Sequence, residues 1–302
     1  MNAKSINPVA KNDLGTNSPS LSETDGSGPP RFLKTLRQGE DGVFHLRQGT
    51  SEISYPEEGH ELTAQVEEKS FWFQHRNRVI SHLLTRYHHQ SPLLDIGGGN
   101  GLQARYLQPQ TPVVMVEPGA AGCNTAKTRG VKWVVQSTLE ALSLPDASVD
   151  ALSFFDVLEH LDNPQGILRE CHRILKPGGN LFVTVPAFQF LWCDEDIYAD
   201  HKRRYTVPSL AKELTTPGFE LSYISYYFQF LLLPLFLLRT LPYKLSRKNQ
   251  QEEFCMDQTE HLPSPMAKKV LDFFLDRELK ALQRGNRLRF GTSVISVARK
   301  PE

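Results

Sequence analysis

Residues 93–101 constrain the fold of this chain more than any other segment, and they read Leu-Leu-Asp-Ile-Gly-Gly-Gly-Asn-Gly. An apolar run that passes an acidic residue and ends in glycines predicts a β-strand, a tight turn and the start of a helix. Glycine allows a positive φ in such a turn and leaves no Cβ to block a ligand. The unpaired N–H groups of the helix start favour a nucleotide-like or amino-acid-like ligand. The segment therefore predicts a ligand-binding turn at the end of a strand.

Strand-like and helix-like segments alternate along the chain, which predicts an α/β fold with a mainly parallel sheet. In such sheets ligands bind at the carboxyl ends of the strands, where the chain direction around the sheet reverses. The predicted strands are 92–96, 112–117, 132–135, 149–155, 180–185, 219–227 and 292–299. The predicted helices are about 100–107, 119–129, 138–141, 163–175, 208–215, 228–243 and 264–284, and apolar spacing indicates another around Ile80, Leu83, Leu84 and Tyr87.

The ends of this domain differ in composition from its centre. Residues 1–50 are rich in Ser, Asn, Gly, Asp and Pro, which predicts a mostly disordered tail. Local folding of residues 31–50 is the less favoured alternative. Residues 51–302 are predicted to form one domain, with a hydrophobic and basic insertion at about 226–250 before the last helix and strand.

The insertion contains the most apolar stretch of the chain, residues 226–238. This stretch is too short for a membrane-spanning helix, which needs ~20 apolar residues, and Pro234 interrupts it. Basic residues follow it. Two interpretations stay open: a buried helix, or a contact of 226–248 with a membrane surface or a lipid substrate.

The overall charge and the cysteines exclude several classes of partner. Charged residues make up 23% of the chain and their formal charges cancel, which argues against a broad nucleic-acid-binding surface. The four cysteines include no Cys-x-x-Cys pair, so they indicate neither a zinc site nor a disulfide framework. The N-terminus lacks the apolar core of a signal peptide. We expect a cytoplasmic protein, with membrane association as an open alternative, and predict no metal site.

The glycines alone do not identify the ligand. Gly99, Gly101 and Ala104 satisfy the Gly-x-Gly-x-x-Gly/Ala pattern of dinucleotide sites, so an NAD-dependent oxidoreductase stays open. Asp95, however, places a carboxylate at the strand end, where it can meet an ammonium group. S-adenosylmethionine has such a group, and NAD has none there. Glu117, at the end of the next strand, could accept both ribose hydroxyls of either ligand.

The stretch 149–179 favours S-adenosylmethionine over NAD. It contains a strand that ends in Phe-Asp-Val at the predicted sheet edge of the glycine turn, followed by Leu-Glu-His-Leu. After a helix it continues with Leu-Lys-Pro-Gly-Gly, a helix stop and a tight turn. Dinucleotide-binding domains do not require this combination.

Four ordered motifs within residues 93–185 resemble those of class I S-adenosylmethionine-dependent methyltransferases. They are Asp-Ile-Gly-Gly-Gly-Asn-Gly, Leu-Glu-Ala-Leu-Ser-Leu-Pro-Asp, Phe-Asp-Val-Leu-Glu-His-Leu and Leu-Lys-Pro-Gly-Gly. Segments 71–78 and 185–206 look like a bacterial type 11/12-like subgroup, some of whose members are thought to act in glycan or lipid-linked pathways. The resemblance implies a Rossmann-like doubly wound sheet with helices on both faces, and the C-terminal segment resembles the subgroup's closing antiparallel strand.

The resemblance also implies the residues that hold the cofactor S-adenosylmethionine. The glycine turn would cradle its methionyl and ribose parts, the residues after the second strand would hold ribose and adenine, and Phe-Asp-Val would flank the transferring centre. Thr138 stands where many relatives carry an acidic residue that meets the adenine amino group. The implied cofactor-binding residues are Asp95, Gly97, Gly98, Gly99, Gly101, Glu117, Pro118, Thr138, Leu139, Phe155, Asp156 and Val157.

Two histidines are candidates for a general base in methyl transfer to oxygen. His160 follows the Phe-Asp-Val strand end, and imidazole is well matched to neutral pH. A packing role is the alternative for His160, and Glu159 could orient a substrate or join His160 at a metal. His201 is the second candidate base. The predicted acceptor-side residues are Trp72, Arg76, Trp192, Arg204 and Tyr205.

The aromatic and basic residues of 71–78 have two interpretations. They could staple a helix onto the core, or form a lid over a ligand pocket. The charged segment 194–206 also has two interpretations. It could be a solvated loop, or it could lie over the acceptor side of the pocket, where an arginine fork suits phosphate or carboxylate and the acceptor could be anionic.

Taken together, these residues predict a methyltransferase that acts on a small-molecule, glycan or lipid-linked acceptor, most readily at oxygen. The alternatives are an NAD-dependent oxidoreductase and a non-catalytic module that binds S-adenosylmethionine. Fold does not fix a substrate, so the acceptor cannot be read from these residues.

Overall fold

A computed structural model describes residues 30–46, 68–88, 91–245 and 264–302. The strands are β1 Arg37–Gln38, β2 Phe44–His45, β3 Leu93–Ile96, β4 Val113–Glu117, β5 Trp133–Gln136, β6 Val149–Phe155, β7 Leu175–Pro186, β8 Glu220–Tyr227 and β9 Ser293–Arg299. The α-helices are α1 Phe71–Tyr87, α2 Leu102–Leu107, α3 Ala120–Thr128, α4 Pro164–Ile174, α5 Asp194–Tyr198, α6 Val207–Thr215, α7 Leu232–Leu235, α8 Leu241–Leu245 and α9 Pro265–Gln283. Short 3-10 helices cover Arg31–Thr35, Gln189–Leu191 and Gln229–Leu231, and a π-helix covers Phe236–Thr240.

The strands form one sheet in the order β1-β2-β5-β4-β3-β6-β7-β9-β8. All neighbours from β2 to β7 are parallel, and β9 inserts antiparallel between β7 and β8. The predicted doubly wound, mainly parallel sheet with an antiparallel last strand is therefore confirmed. Because β4 and β6 flank β3, the chain direction reverses at β3, which places a crevice at the carboxyl end of β3.

The central strands are covered by helices on both faces. Every residue of β3 and β4 is buried, as expected for parallel strands without a solvent face. Successive side chains of a strand point to opposite faces, so Leu93 and Leu94 join different apolar clusters. Leu93 packs in the cluster that includes Ile80 of α1, and Leu94 in the one that includes Leu168 of α4. This packing fixes β3 rigidly beneath the glycine turn.

Part of the predicted disordered tail is folded. Within residues 1–50, the segment 30–46 packs on the sheet edge, where β2 pairs parallel with β5, and the rest of the tail lies outside the described residues. Phe32, Leu33 and Phe44 are buried in the core. The prediction of disorder is wrong for 30–46 because the composition of a polar stretch hides the few apolar residues that anchor it.

Two predicted helices differ in the structure. Residues 138–141 form a turn, in which Thr138 Oγ1 accepts a hydrogen bond from the Ala141 N–H at 3.3 Å. The predicted helix 228–243 is divided into 3-10, α and π segments. The predicted helix 138–141 would be a single turn, which is too short to be stable as a helix on its own.

The segment 228–245 is largely exposed on one side, so it is not the buried helix that the sequence allowed. Leu233, Leu238 and Leu245 are 64%, 73% and 72% exposed. In the part of the chain that the structure describes, every helix is too short or too polar to cross a membrane.

A buried glutamate on α9 anchors the start of this segment. Glu278 accepts hydrogen bonds from the backbone N–H groups of Phe228 and Gln229 at 2.7 and 2.6 Å. Its Oε1 also lies 2.9 Å from His75 Nε2 on α1. One carboxylate therefore joins α1, α9 and the segment 228–245.

Replacing Glu278 with alanine is expected to lower the free energy of unfolding by about 3–5 kcal/mol, because two backbone amides and a buried histidine lose their partner. Urea denaturation of the full chain measures this. Asp276→Ala on the same helix is the matched control, since Asp276 pairs with Arg78 while 50% exposed and should cost at most about 1 kcal/mol. Equal losses in the two variants would contradict the anchoring role.

Candidate active site

The turn after β3 combines positive φ angles with close packing. Gly97, Gly99 and Gly101 have φ of 69°, 54° and 74°. A Cβ on Gly97 would lie 2.7 Å from Val157 Cγ2, and one on Gly101 would lie 2.5 Å from Ala126 Cβ. A Cβ on Gly99 would meet no atom within 4 Å. Two glycines of the turn thus allow tight packing, and Gly99 borders open space.

Asp95 presents an unpaired carboxylate oxygen beside this turn. The side chain is 1% exposed, and its Oδ1 accepts a hydrogen bond from Ser153 Oγ at 2.7 Å, from the residue directly opposite on β6. Oδ2 has no hydrogen-bond partner and lies 3.3 Å from the position of a Cβ on Gly98. Burial raises the pKa of Asp95 to about 6, although Ser153 and Arg76 act in the opposite direction. A ligand with a positive charge would complete the bonding of Oδ2.

Glu117 lies across the opening of the turn at the end of β4. Its Oε2 accepts a hydrogen bond from Gly99 N at 2.9 Å, and its Oε1 accepts one from Gly119 N at 2.8 Å. The side chain is 5% exposed. These bonds fix the carboxylate beside the open space at Gly99.

The residues predicted to hold an adenine differ in what they offer. Pro118 and Thr138 are half-buried near the end of β4 and after β5. Leu139 is 1% exposed and packs in the core, so its side chain is not available to a ligand. Of Thr138 and Leu139, Thr138 is the residue whose side chain could face a ligand.

The strand end Phe155–Val157 is tied to α1 by an arginine. Asp156 has a φ of 58°, and its Oδ1 accepts a hydrogen bond from Thr184 Oγ1 at 3.0 Å. Arg76 Nε lies 2.9 Å from Asp156 Oδ2, and Arg76 Nη2 donates to the Phe155 carbonyl at 3.2 Å. The Arg76 guanidinium is therefore engaged with Asp156 and the Phe155 carbonyl, and its position on the acceptor side stays a prediction.

Trp72 attaches α1 to the segment 228–245. Its ring stacks on Phe228 with centroids 5.5 Å apart, and the Arg76 guanidinium lies 5.3 Å from the Trp72 ring centroid. This packing corresponds to the staple interpretation of the aromatic residues of 71–78.

The two candidate bases lie side by side with a buried glutamate. The rings of His160 and His201 are 4.8 Å apart between centroids, in an edge-to-face arrangement. Glu159 is fully buried, and neither of its carboxylate oxygens has a hydrogen-bond partner. The backbone bond from Lys202 N to the Glu159 carbonyl, at 2.7 Å, holds the two segments together.

A carboxylate orients His201. His201 Nδ1 lies 2.8 Å from Asp196 Oδ1, and Arg204 donates from Nε and Nη2 to Oδ1 and Oδ2 at 2.7 and 2.9 Å. Burial would raise the pKa of Asp196, but the hydrogen bonds from His201 and Arg204 outweigh it and hold the pKa below its ordinary value. Asp196 is therefore an ionised acceptor for Nδ1–H, which leaves Nε2 of a neutral His201 with its lone pair.

The electrostatics of His160 and Glu159 differ from those of exposed groups. Burial, and secondarily the charge of His201, lowers the pKa of His160 to about 4. Burial, together with the charge of Asp156, raises the pKa of Glu159 well above its ordinary value. Glu159, His160 and His201 each have one donor atom that lies within 4.8 Å of the donor atoms of the other two residues.

The remaining predicted acceptor-side residues are mainly structural in this geometry. The Arg204 fork is occupied by Asp196, so it positions His201 instead of presenting itself to an anion. Tyr205 is 3% exposed and packs in the core, where its hydroxyl donates to the Leu158 carbonyl at 3.3 Å. Trp192 is half-buried after the 3-10 helix 189–191.

Sequence reasoning missed the roles of Ser153 and Asp196. Ser153 is a strand residue without a motif, and the β3–β6 register alone places it opposite Asp95. Asp196 is one of three consecutive acidic residues at the start of α5. Its position five residues before a histidine is the one signal that the sequence carries.

The sequence of the chain is similar to those of known methyltransferases. Residues 94–183 match the family described as "Methyltransferase domain". The chain is 29% identical over 169 residues to a "probable S-adenosylmethionine-dependent methyltransferase" of Mycolicibacterium smegmatis, covering 55% of this chain and 65% of the relative. It is 31% identical over 99 residues to a ubiquinone biosynthesis O-methyltransferase of Xanthomonas oryzae pv. oryzae, covering 30% of this chain and 41% of the relative. The chain thus spans less than two thirds of the length of these relatives.

Among solved structures, the cyclase SpnF aligns with a TM-score of 0.51 and 18% identity, over 83% of this chain and 98% of that one. At such identity the likeness concerns the fold alone. A cyclase on this fold also illustrates that the reaction must be argued from the site.

Proposed function

We propose that this chain is a class I S-adenosylmethionine-dependent methyltransferase, which the match over residues 94–183 supports, and that it transfers a methyl group to a hydroxyl oxygen of a small-molecule, glycan or lipid-linked acceptor in the cytoplasm. The observation that carries the proposal is the buried, unpaired Oδ2 of Asp95 at a glycine turn whose Gly99 borders open space. An isolated buried carboxylate oxygen is costly unless a donor completes it. The ammonium group of S-adenosylmethionine is such a donor.

The residues around the turn fit the cofactor. Asp95 would bind the ammonium group, and Glu117 would accept ribose hydroxyls while it keeps its bonds to the turn. Thr138 and Pro118 would line the adenine. When bound, S-adenosylmethionine supplies a methyl group that is already activated on a sulfonium.

Cofactor affinity is expected to fall as the pH is lowered through about 6, because the ammonium group binds the ionised form of Asp95, whose pKa is raised to about 6. Below that pKa, affinity for S-adenosylhomocysteine should drop about tenfold per pH unit. Arg76 and Glu117 are the other charged groups that act on Asp95. Calorimetric titrations between pH 7 and pH 5 measure the change.

Ser153→Ala is the companion variant for this profile. Ser153 donates to Asp95 and lowers its pKa, so removal of the hydroxyl should move the midpoint to higher pH. A profile that is flat from pH 7 to pH 5 in the wild-type chain would exclude Asp95 as the ammonium ligand.

The histidine pair is proposed to take the proton of the acceptor hydroxyl. Asp196 holds Nδ1 of His201, so Nε2 is the nitrogen that can accept a proton, as in other carboxylate-oriented histidines. Alignment of the acceptor with the cofactor can contribute ~7–11 kcal/mol to the lowering of the barrier. Arg204 is a positioning residue, because it acts through Asp196.

The segment 228–245 and α9 both carry exposed apolar side chains, and they meet where Phe230 stacks on Phe274 with ring centroids 4.2 Å apart. We define this apolar surface by Leu233, Leu237, Leu238, Phe273 and Phe274. The Thr240 hydroxyl donates to the Leu191 carbonyl at 3.1 Å, which ties the segment 228–245 to the loop before α5. Exposed apolar patches of this kind mark interaction sites. We propose that the surface contacts a membrane surface or the lipid part of the acceptor.

Leu233→Asp/Leu238→Asp should weaken binding to phosphatidylcholine–phosphatidylglycerol vesicles by at least about tenfold, since each leucine loses the ~1.5–3 kcal/mol gained on burial. Vesicle co-sedimentation measures this. Tyr106→Asp, which replaces a side chain 45% exposed on α2, is the control and should bind like the wild type. Equal binding by all three proteins would contradict the membrane contact.

The proposed reaction is tested by incubating the chain with S-adenosylmethionine labelled in its methyl group and with fractionated cell lipids, glycans and small metabolites. Label should enter one fraction in a base-stable linkage, as expected for an ether. Asp95→Asn protein is the negative control. Cofactor binding without label in any fraction would favour a non-catalytic module, and binding of NAD in place of S-adenosylhomocysteine would favour an oxidoreductase.

A further inference from the structure

We infer that Glu159, His160 and His201 form a binding site for one divalent first-row transition-metal ion. One donor atom from each residue lies within 4.8 Å of the other two. Donors that share an ion at 2.0–2.2 Å lie roughly 3–4 Å apart, so side-chain adjustments of about an ångström bring the three onto one ion. No metal site is predicted from the sequence, because no Asp or His at ligand spacing flanks Glu159 and His160, and His201 lies far along the chain.

The state of Glu159 is the first argument for a cation. The side chain is fully buried, and both of its oxygens lack a hydrogen-bond partner. The guanidinium groups that act on it electrostatically belong to Arg76 and Arg204. Each of these pairs with another carboxylate, Arg76 with Asp156 and Arg204 with Asp196. A bound cation would replace the proton of this buried carboxyl group and would complete the bonding of its two oxygens.

The orientation of the histidines is the second argument. Asp196 binds Nδ1 of His201, which directs Nε2 to the ligand role and reproduces the carboxylate–histidine–metal arrangement of many metal sites. Asp196 is itself fixed by Arg204 and by the Cys193 N–H. The His160 ring is held by the backbone of Ala199. These ligands are thus held in place before any ion binds.

The donor set selects the class of ion. Two imidazole nitrogens and one carboxylate suit zinc, cobalt, manganese or iron, whereas magnesium and calcium prefer oxygen ligands throughout. Three protein ligands also leave coordination positions open, as in catalytic sites. The catalytic consequence, polarisation of an acceptor hydroxyl, rests on the proposed methyl transfer, but the binding of the ion does not.

The test is a titration of the untagged full chain, stripped with EDTA, with Co²⁺ and Zn²⁺. We expect one equivalent to bind, with visible Co²⁺ absorption bands that report nitrogen and oxygen ligands. Asp196→Asn should weaken binding about 10–100-fold, and Glu159→Gln and His201→Gln should weaken it more. Asp200→Asn is the matched control, because this exposed acid in the same loop pairs with Lys202 and lies outside the cluster. Binding of S-adenosylhomocysteine by each variant verifies its folding.

Two results would overturn the inference. One is a stripped chain that binds neither ion at micromolar concentration, and the other is unchanged stoichiometric binding in Glu159→Gln and His201→Gln. The outcome stays separable from that of the proposed function. Methyl transfer in EDTA by a chain that binds no metal would support the proposed methyltransferase and exclude the metal site. Metal binding without methyl transfer to any fraction would support the metal site and contradict the proposed methyltransferase.

Discussion

Asp95→Asn is expected to lower the affinity for S-adenosylhomocysteine by roughly 10²–10⁴-fold, which corresponds to the loss of about 3–5 kcal/mol when one member of a buried ion pair is removed. The substitution keeps the size of the side chain and an oxygen for the Ser153 hydroxyl. It removes the negative charge that would face the ammonium group. Isothermal titration calorimetry of the full chain measures the effect, and S-adenosylhomocysteine is a suitable probe because it keeps that group.

The control for this experiment is Asp146→Asn. Asp146 is 79% exposed, pairs with Arg173 and lies away from the glycine turn, so its loss should leave the affinity unchanged. Thermal melts of both variants would show whether the folded state persists. Tight binding of the probe by Asp95→Asn would mean that the unpaired Oδ2 has another purpose, and the assignment of the ammonium position would fail.

The sheet and the glycine turn could be predicted because their signals are local. Apolar runs such as 113–117, separated by helical segments, leave few arrangements other than a covered parallel sheet. The turn at Gly97–Gly101 carries its own backbone requirement, and the structure gives it the expected positive φ angles. The folding of residues 30–46 is not predicted because their four buried hydrophobic side chains, Phe32, Leu33, Val43 and Phe44, are diluted in polar sequence.

The partners of the charged residues could not be predicted, because they are set by tertiary contacts. From the sequence, Arg76 and Arg204 are both predicted to lie on the acceptor side, and the segment that holds Arg204 favours an anionic acceptor. In the structure they bind Asp156 and Asp196 instead. The contact between His160 and His201 depends on the bond between Lys202 and the Glu159 carbonyl, which no spacing in the sequence reveals.

His160→Ala and His201→Ala are each expected to lower kcat by about 10²–10⁴-fold, the usual contribution of a positioned proton acceptor. The affinity for S-adenosylhomocysteine should stay unchanged, since neither ring contacts Asp95, Glu117 or the glycine turn in the bonds described above. The loss falls on kcat whether the pair takes the proton directly or holds a cation that polarises the hydroxyl. The loss of kcat is measured from the initial rates of label transfer from S-adenosylmethionine to the fraction that contains the acceptor.

The double variant distinguishes a joint role from two separate ones. Residues that act as one unit are not additive, so the double variant should be about as slow as the slower single variant. A product of the two single losses would instead indicate independent functions. His172→Ala, a histidine that packs on Phe219 away from the pair, should keep wild-type turnover. Full turnover in His201→Ala would remove the Asp196-oriented imidazole from the mechanism and leave proton removal to solvent.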